Sequence, residues 1–151
     1  MRFSVILFLV SLVALSGCKK DTEKQLEEDI AEIKSYLSDN NLTAQSTDSG
    51  LHYIIDEPGT GDFPTGFSDV KVIYTGYYPN GNVFDQSPPD GITFGLTNVI
   101  EGWQEGIPLF REGGSGTLFI PSELAYGPSG RGDIGGNAVL FFDIELVEII
   151  D

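Results

Sequence analysis

From Leu51 onward the apolar residues recur at every second position, and that period decides most of what this chain can become. Leu51, Tyr53 and Ile55 alternate with His52, Ile54 and Asp56, and Val70, Val72 and Tyr74 alternate with Lys71, Ile73 and Thr75. A period of two puts alternate side chains on one face, so both stretches read as strands. Between Tyr77-Tyr78 and Val83-Phe84 lies Pro79-Asn80-Gly81-Asn82, whose Asn-Gly pair predicts a tight hairpin with positive φ angles. Val99 to Phe110 changes period: Ile100, Trp103 and Ile107 share one helical face, while Gly102 and Gly106 on another predict close packing against a sheet. Thr117 to Ile120 reads as a short strand after the Gly113-Gly114-Ser115-Gly116 turn. Ala138 to Leu146 reads as a long one, with Ala138, Leu140, Phe142, Ile144 and Leu146 on its buried face. Many strands with one short helix among them predict an α+β fold built on an antiparallel sheet.

The chain before Leu51 follows other rules. From Thr22 to Asn40 the apolar residues Leu26, Ile30, Ile33 and Leu37 form one narrow helical stripe among charges. Glu23, Glu27 and Glu28 suit the start of such a helix through its dipole, and Asn40-Asn41 is its stop. About 17 residues at 1.5 Å each make a rod of roughly 25 Å. Three fates are open to it: packing on the domain that follows, a homodimer through residues 22–40, or a solvated spacer. Thr43 to Gly50 is a polar linker. The amino terminus reads Met1-Arg2, an apolar run from Phe3 to Leu15, then Leu15-Ser16-Gly17-Cys18. The run is about 13 residues, short of the roughly 20 that a spanning helix needs, so it predicts a signal peptide. Leu-Ser-Gly-Cys resembles the lipobox of bacterial lipoproteins, which implies cleavage after residue 17 and lipid on Cys18. The expected organisation is a signal peptide at 1–17, a lipidated Cys with spacer helix and linker at 18–48, and a folded domain at 49–151.

Charge removes several function classes. The chain has 23 acidic against 8 basic residues, a net −15, of which −12 belongs to residues 49–151. Nucleic-acid binding needs a basic face, and anionic headgroups repel the folded part, leaving membrane association to the lipid alone. One Cys and one His exclude an internal disulfide and zinc sites built from several such ligands. Gly130-Arg131-Gly132-Asp133-Ile134-Gly135 fits a dinucleotide fingerprint in letters, but a strand follows where a helix is required. It reads as a glycine-rich loop. His52 lies in a strand, and no nucleophile-elbow serine accompanies it.

The remaining phrases carry the function. Val72-Ile73-Tyr74-Thr75-Gly76, Val83-Phe84-Asp85-Gln86-Ser87, Val99-Ile100-Glu101-Gly102-Trp103, Ile120 through Gly127, and Leu140 through Leu146 stand in order from about Gly50 to Ile150. Together they resemble the FKBP family of peptidyl-prolyl cis-trans isomerases. The resemblance implies a curved antiparallel sheet wrapped around one short helix. It implies a pocket with Trp103 as its floor, Tyr74, Phe94 and Phe142 as walls, Val99 and Ile100 at the rim, Phe84 and Asp85 as the Phe-Asp pair, and Ile134 above. The Tyr126 hydroxyl and the Ile100 N–H would bond a ligand carbonyl. Asp85, Tyr126 and Trp103 are the expected catalytic set, Asp85 either setting a negative potential near the substrate carbonyl carbon or holding Tyr74. No cofactor or metal is implied, since bond rotation needs none. The implied partners are proline-containing polypeptides and macrolide ligands. The implied location is the bacterial cell envelope, lipid-anchored at the outer membrane and facing the periplasm or the cell surface. A non-catalytic chaperone or binding module is the alternative. The sequence departs from the family at Pro88-Pro89-Asp90, where an Arg is common, and at Ile134-Gly135-Gly136, which implies a looser flap; Phe110 replaces a common Met.

Overall fold

A computed structural model describes residues 16–150. The elements run α1 (Ser16–Asp39), β1 (Gln45–Ser46), β2 (His52–Glu57), β3 (Asp69–Tyr77), β4 (Val83–Gln86), β5 (Ile92–Gly95), α2 (Glu101–Gly106), β6 (Ser115–Ile120) and β7 (Leu140–Ile149). The strands form one seven-stranded antiparallel sheet in the order β1-β2-β6-β7-β3-β4, with β5 pairing the first half of β3. This is the expected α+β architecture, with the short helix α2 on one face.

α2 lies close to the sheet because two of its residues have no side chain. A Cβ at Gly102 would stand 2.5 Å from Ile120, and one at Gly106 would stand 2.5 Å from Leu118. The helix is shorter than the period from Val99 to Phe110 suggested. Pro108 lacks an N–H and its ring obstructs a continuing turn, so Ile107–Leu109 tightens into a 3₁₀ turn. Beneath α2, Trp103 and Ile107 meet Val70, Val72, Leu118, Leu140 and Leu146 in the main core.

The spacer helix is packed on the sheet's other face. Ile33 and Leu37 are buried against Phe119, Val139 and Phe141, with Tyr36 set 4.7 Å from the Phe141 ring. Of the three fates open to the stripe, the structure gives docking onto the domain that follows. Ile33 and Leu37 are covered by residues of the same chain. Phe119 and Phe141 are consequently buried although they point away from α2, so β6 at residues 118–120 and β7 at residues 140–142 are buried on both faces.

α1 differs from expectation at both ends. Among the described residues it already runs from Ser16, so Glu23, Glu27 and Glu28 lie within it rather than at its start, and the dipole argument for them falls away. Its far end closes as a Schellman motif: Asn41 takes a φ of +54°, Leu42 N–H donates to Leu37 C=O at 2.8 Å, and Asn41 N–H donates to Ser38 C=O at 3.1 Å. The signal peptide expected at 1–17 falls largely on residues 1–15, outside the described residues.

Three smaller corrections concern the sheet. The polar linker supplies β1, whose Gln45 and Ser46 pair with Tyr53 and His52. Ile92–Gly95, unassigned in the sequence, pairs with β3 as β5. In the hairpin only Gly81 takes a positive φ, because Tyr78 N–H bonds Asn82 C=O across a longer loop and leaves Asn80 in an ordinary conformation. His52 is a satisfied strand histidine, its Nδ1 2.8 Å from the Gly50 carbonyl oxygen.

Two outcomes follow from the docked helix. Ile33→Ala opens a cavity in the outer cluster and lowers folding stability by about 2–5 kcal/mol, read as a lower urea midpoint of the full chain in mild detergent; a solvated helix would leave the midpoint unchanged. Tyr77 packs in the same cluster and donates to Asp143 at 3.0 Å. Burial first, then the Asp143 charge, holds its hydroxyl neutral well above the ordinary tyrosine range. Its contribution is therefore complete below the unfolded value of about 10 and is lost as pH rises towards the folded value, because only the unfolded chain releases the proton. The urea midpoint falls between pH 9 and 11, and falls less in Tyr77→Phe; equal falls would contradict the assignment.

Candidate functional site

The sheet and α2 leave a cavity of about 560 Å³ at one end of the core. The two long strands that border it, β3 and β7, contribute through their period of two. β3 turns Val70, Val72 and Tyr74 towards α2, and β7 turns Phe142 the same way. β4 brings Phe84 and Asp85, and β5 brings Phe94. Gly76 explains how Phe84 reaches the site: a Cβ there would stand 2.7 Å from the Phe84 ring and 2.9 Å from Phe142.

Trp103 forms the floor. Its indole is 4% exposed and is met edge-on by three rings, Tyr74 at 5.0 Å, Phe142 at 5.3 Å and Phe94 at 5.6 Å. Edge-to-face contact sets the positive ring edge against a negative face, worth about 0.5–1.5 kcal/mol per pair beyond area burial. Phe84 meets Phe142 in the same way at 5.6 Å. The Trp103 Nε1–H is buried with no hydrogen-bond partner among the described residues.

The rim is fixed by hydrogen bonds. Ile100 precedes α2, and its carbonyl accepts from Trp103 N–H at 2.9 Å and Gln104 N–H at 3.1 Å. Gln104 Nε2 donates to the Val99 carbonyl at 2.8 Å. Tyr74 donates its hydroxyl to Asp85 Oδ2 at 2.7 Å, while Asp85 Oδ1 accepts Gln86 N–H at 2.9 Å. Both carboxylate oxygens are thus engaged by neutral donors, and no ion pair reaches Asp85 among the described residues. Burial first, then the bond to Asp85, raises the Tyr74 hydroxyl far above the ordinary tyrosine range, so it remains a neutral donor.

Tyr126 also lines the cavity, as does Ile134 from the loop that follows it. That loop carries backbone hydrogen bonds of its own. Arg131 and Ile134 exchange backbone hydrogen bonds at 2.9 and 3.0 Å, and Asn137 N–H donates to the Gly127 carbonyl at 2.9 Å. The Arg131 guanidinium carbon sits 5.8 Å from the centre of the Tyr126 ring.

All ten residues expected in the pocket line this one cavity: Tyr74, Phe84, Asp85, Phe94, Val99, Ile100, Trp103, Tyr126, Ile134 and Phe142. Asn98, Arg131, Gly132 and Asp133 also line it and were not expected. The Arg-Gly-Asp run was visible but read only as loop; its signal was adjacency to Ile134. Of Cys18 the structure gives a helical backbone and nothing of the side chain. Among the described residues no cluster of His, Cys, Asp and Glu could hold a metal ion.

Comparison with known proteins agrees with this geometry. The family model described as FKBP-type peptidyl-prolyl cis-trans isomerase matches residues 61–147. A probable FKBP-type peptidyl-prolyl cis-trans isomerase FkpA of Neisseria meningitidis serogroup B is 43% identical over 139 residues, covering 90% of this chain and 50% of that protein. The outer membrane protein MIP of Legionella longbeachae is 39% identical, covering 83% of this chain and 56% of that protein. The chain therefore spans about half the length of the curated relatives it matches. Among solved structures, a peptidyl-prolyl cis-trans isomerase from Pseudomonas syringae pv. tomato DC3000 aligns with a TM-score of 0.72 at 32% identity, over 86% of this chain and 96% of that one. FkpA from Escherichia coli aligns with a TM-score of 0.73 at 34% identity, over 89% and 65%. With the family's sequence pattern lying over the same sheet, helix and aromatic cavity, this chain belongs to the FKBP-type peptidyl-prolyl cis-trans isomerases.

Proposed function

We propose that the domain accelerates cis-trans exchange of X-Pro bonds in polypeptides of the bacterial cell envelope, where lipid on Cys18 holds it at the membrane. The observation that carries the catalytic reading is the cavity itself, in which three aromatic rings meet the Trp103 indole and Phe84, an aliphatic rim and the Tyr126 phenol complete the lining. Its volume of about 560 Å³ lies within the roughly 300–1,000 Å³ of small-ligand sites.

The chemistry asks for little more. Rotation about a peptide C–N bond faces a barrier of about 18–20 kcal/mol because amide resonance is lost. No covalent bond changes, so no nucleophile or cofactor is required. The planar amide carries more charge separation than the twisted one, and a dry aromatic surround disfavours the planar form relative to the transition state. Shape that fits the twisted proline better than either planar isomer adds to this. The Tyr126 hydroxyl has no hydrogen-bond partner among the described residues, which leaves it to meet a substrate carbonyl alongside the Ile100 N–H. Of the two roles open to Asp85, its 2.7 Å bond from Tyr74 supports holding that wall in place. A thousandfold acceleration requires only about 4 kcal/mol. Macrolides that present a proline-like ring would compete for the same cavity.

The anchor rests on Leu15-Ser16-Gly17-Cys18. No helix among the described residues is long and apolar enough to cross a membrane. More than one acyl chain at Cys18 gives stable attachment where one alone is marginal.

Two experiments decide these readings. Exchange of an X-Pro peptide, followed by NMR, quickens in the presence of the full chain in mild detergent. Tyr126→Phe slows it about 2–10-fold, the loss of one neutral hydrogen bond, and Trp103→Ala slows it further; exchange no faster than buffer would end the catalytic reading. Expressed in a bacterium, the chain incorporates labelled palmitate and sediments with membranes, whereas Cys18→Ser does neither. Equal sedimentation of the two would remove the anchor.

A further inference from the structure

Tyr126 is delivered to the cavity by the turn Ser122–Leu124, and the cap of that turn comes from another element. The residue before it is Pro121, which has no side-chain acceptor and makes no side-chain cap. Instead Asp29, on the docked helix α1 and 93 residues away, presents one carboxylate oxygen to Ser122. Oδ2 accepts the Ser122 N–H at 2.7 Å and the Ser122 hydroxyl at 2.6 Å. Asp29 is 1% exposed and Ser122 is fully buried. The second carboxylate oxygen accepts Gln25 Nε2 at 2.8 Å. No cation pairs with Asp29 among the described residues. Three neutral donors replace the water it has lost, two of them on the turn.

The turn transmits this anchorage directly. Leu124 N–H donates to the Pro121 carbonyl and Ala125 N–H to the Ser122 carbonyl, each at 3.0 Å. Ser122 thus fixes Ala125, and the next residue is Tyr126. Without Asp29, two buried donors of Ser122 lack partners, a state that costs enough to shift the segment. A shift of about 1 Å is enough to lose the contact a positioned group makes.

We propose that Asp29 is a positioning residue of the cavity: through Ser122 the spacer helix sets where the Tyr126 hydroxyl meets the substrate carbonyl. This deepens the isomerase reading and rests on it. α1 lies outside residues 61–147, where the family pattern is found, so the proposal makes a segment beyond that pattern part of the site.

The test is a double-mutant cycle on the full chain in detergent. It reads kcat and KM for an X-Pro peptide, with peptide binding followed separately by fluorescence of the single Trp103. Asp29→Ala lowers kcat/KM about 2–10-fold, no further than Tyr126→Phe does, with unchanged far-UV circular dichroism. Asp29→Asn restores it to within about twofold, since its amide oxygen can face both Ser122 donors. In a Tyr126→Phe background, Asp29→Ala costs less than about twofold, because the group it positions is gone. If Asp29→Ala fails to fold, Ser122→Ala, which keeps the backbone bond and loses the hydroxyl, takes its place in the same cycle. Unchanged activity in the folded variant, or an undiminished loss in the Tyr126→Phe background, overturns the proposal. A wild-type chain that binds peptide without speeding exchange overturns the isomerase reading instead, and the binding arm of the cycle then decides the positioning role.

Discussion

Everything at the site depends on how closely α2 approaches the sheet. Gly102 and Gly106 put helix backbone directly over Ile120 and Leu118, and only at that distance does Trp103 reach three ring edges at once. A helix held farther off would leave the indole loosely surrounded and the cavity floor undefined. Close packing here costs helix propensity at two positions, roughly 1 kcal/mol each relative to Ala. The aromatic contacts and the burial beneath α2 offset it. The same contact explains why so short a helix persists, since a helix of this length would not form alone.

The sheet is a shared partition between two clusters. On the α2 side lies the core that shapes the cavity, and on the α1 side lies the smaller cluster of Ile33, Leu37, Phe119, Val139 and Phe141. Strand β7 belongs to both, Phe142 facing the cavity and Phe141 facing α1. A displacement of the spacer helix is therefore felt one residue away from the cavity wall. Asp29 adds a polar link to the same side, so α1 touches the site's supports by two routes.

Much of this was legible in the residues. Alternation marks β2, β3 and β7, and the two glycines mark the close approach of α2. The ten cavity residues came from motif resemblance, which single residues could not have supplied, because an isolated Phe or Tyr at a strand position looks the same in any core. What stayed hidden did so for physical reasons. Phe119 and Phe141 break the alternation within Leu118-Phe119-Ile120 and Leu140-Phe141-Phe142, but nothing local says what covers them. Their partner is a helical stripe about a hundred positions away, and a stripe can be satisfied in several ways. Asp29 was harder still, being one acid among eight in residues 19–48. A buried carboxylate and a solvated one are the same letter. β5 escaped because Ile92-Thr93-Phe94-Gly95 is too short to show a period.

The double burial of β7 also bears on how the chain is made. Leu140-Phe141-Phe142 is a run of three buried apolar residues near the carboxyl end, the kind of strand that pairs with strangers while unprotected. Chains emerge amino terminus first, so α1 has left the ribosome long before that strand appears. The cover is synthesised before the surface it covers.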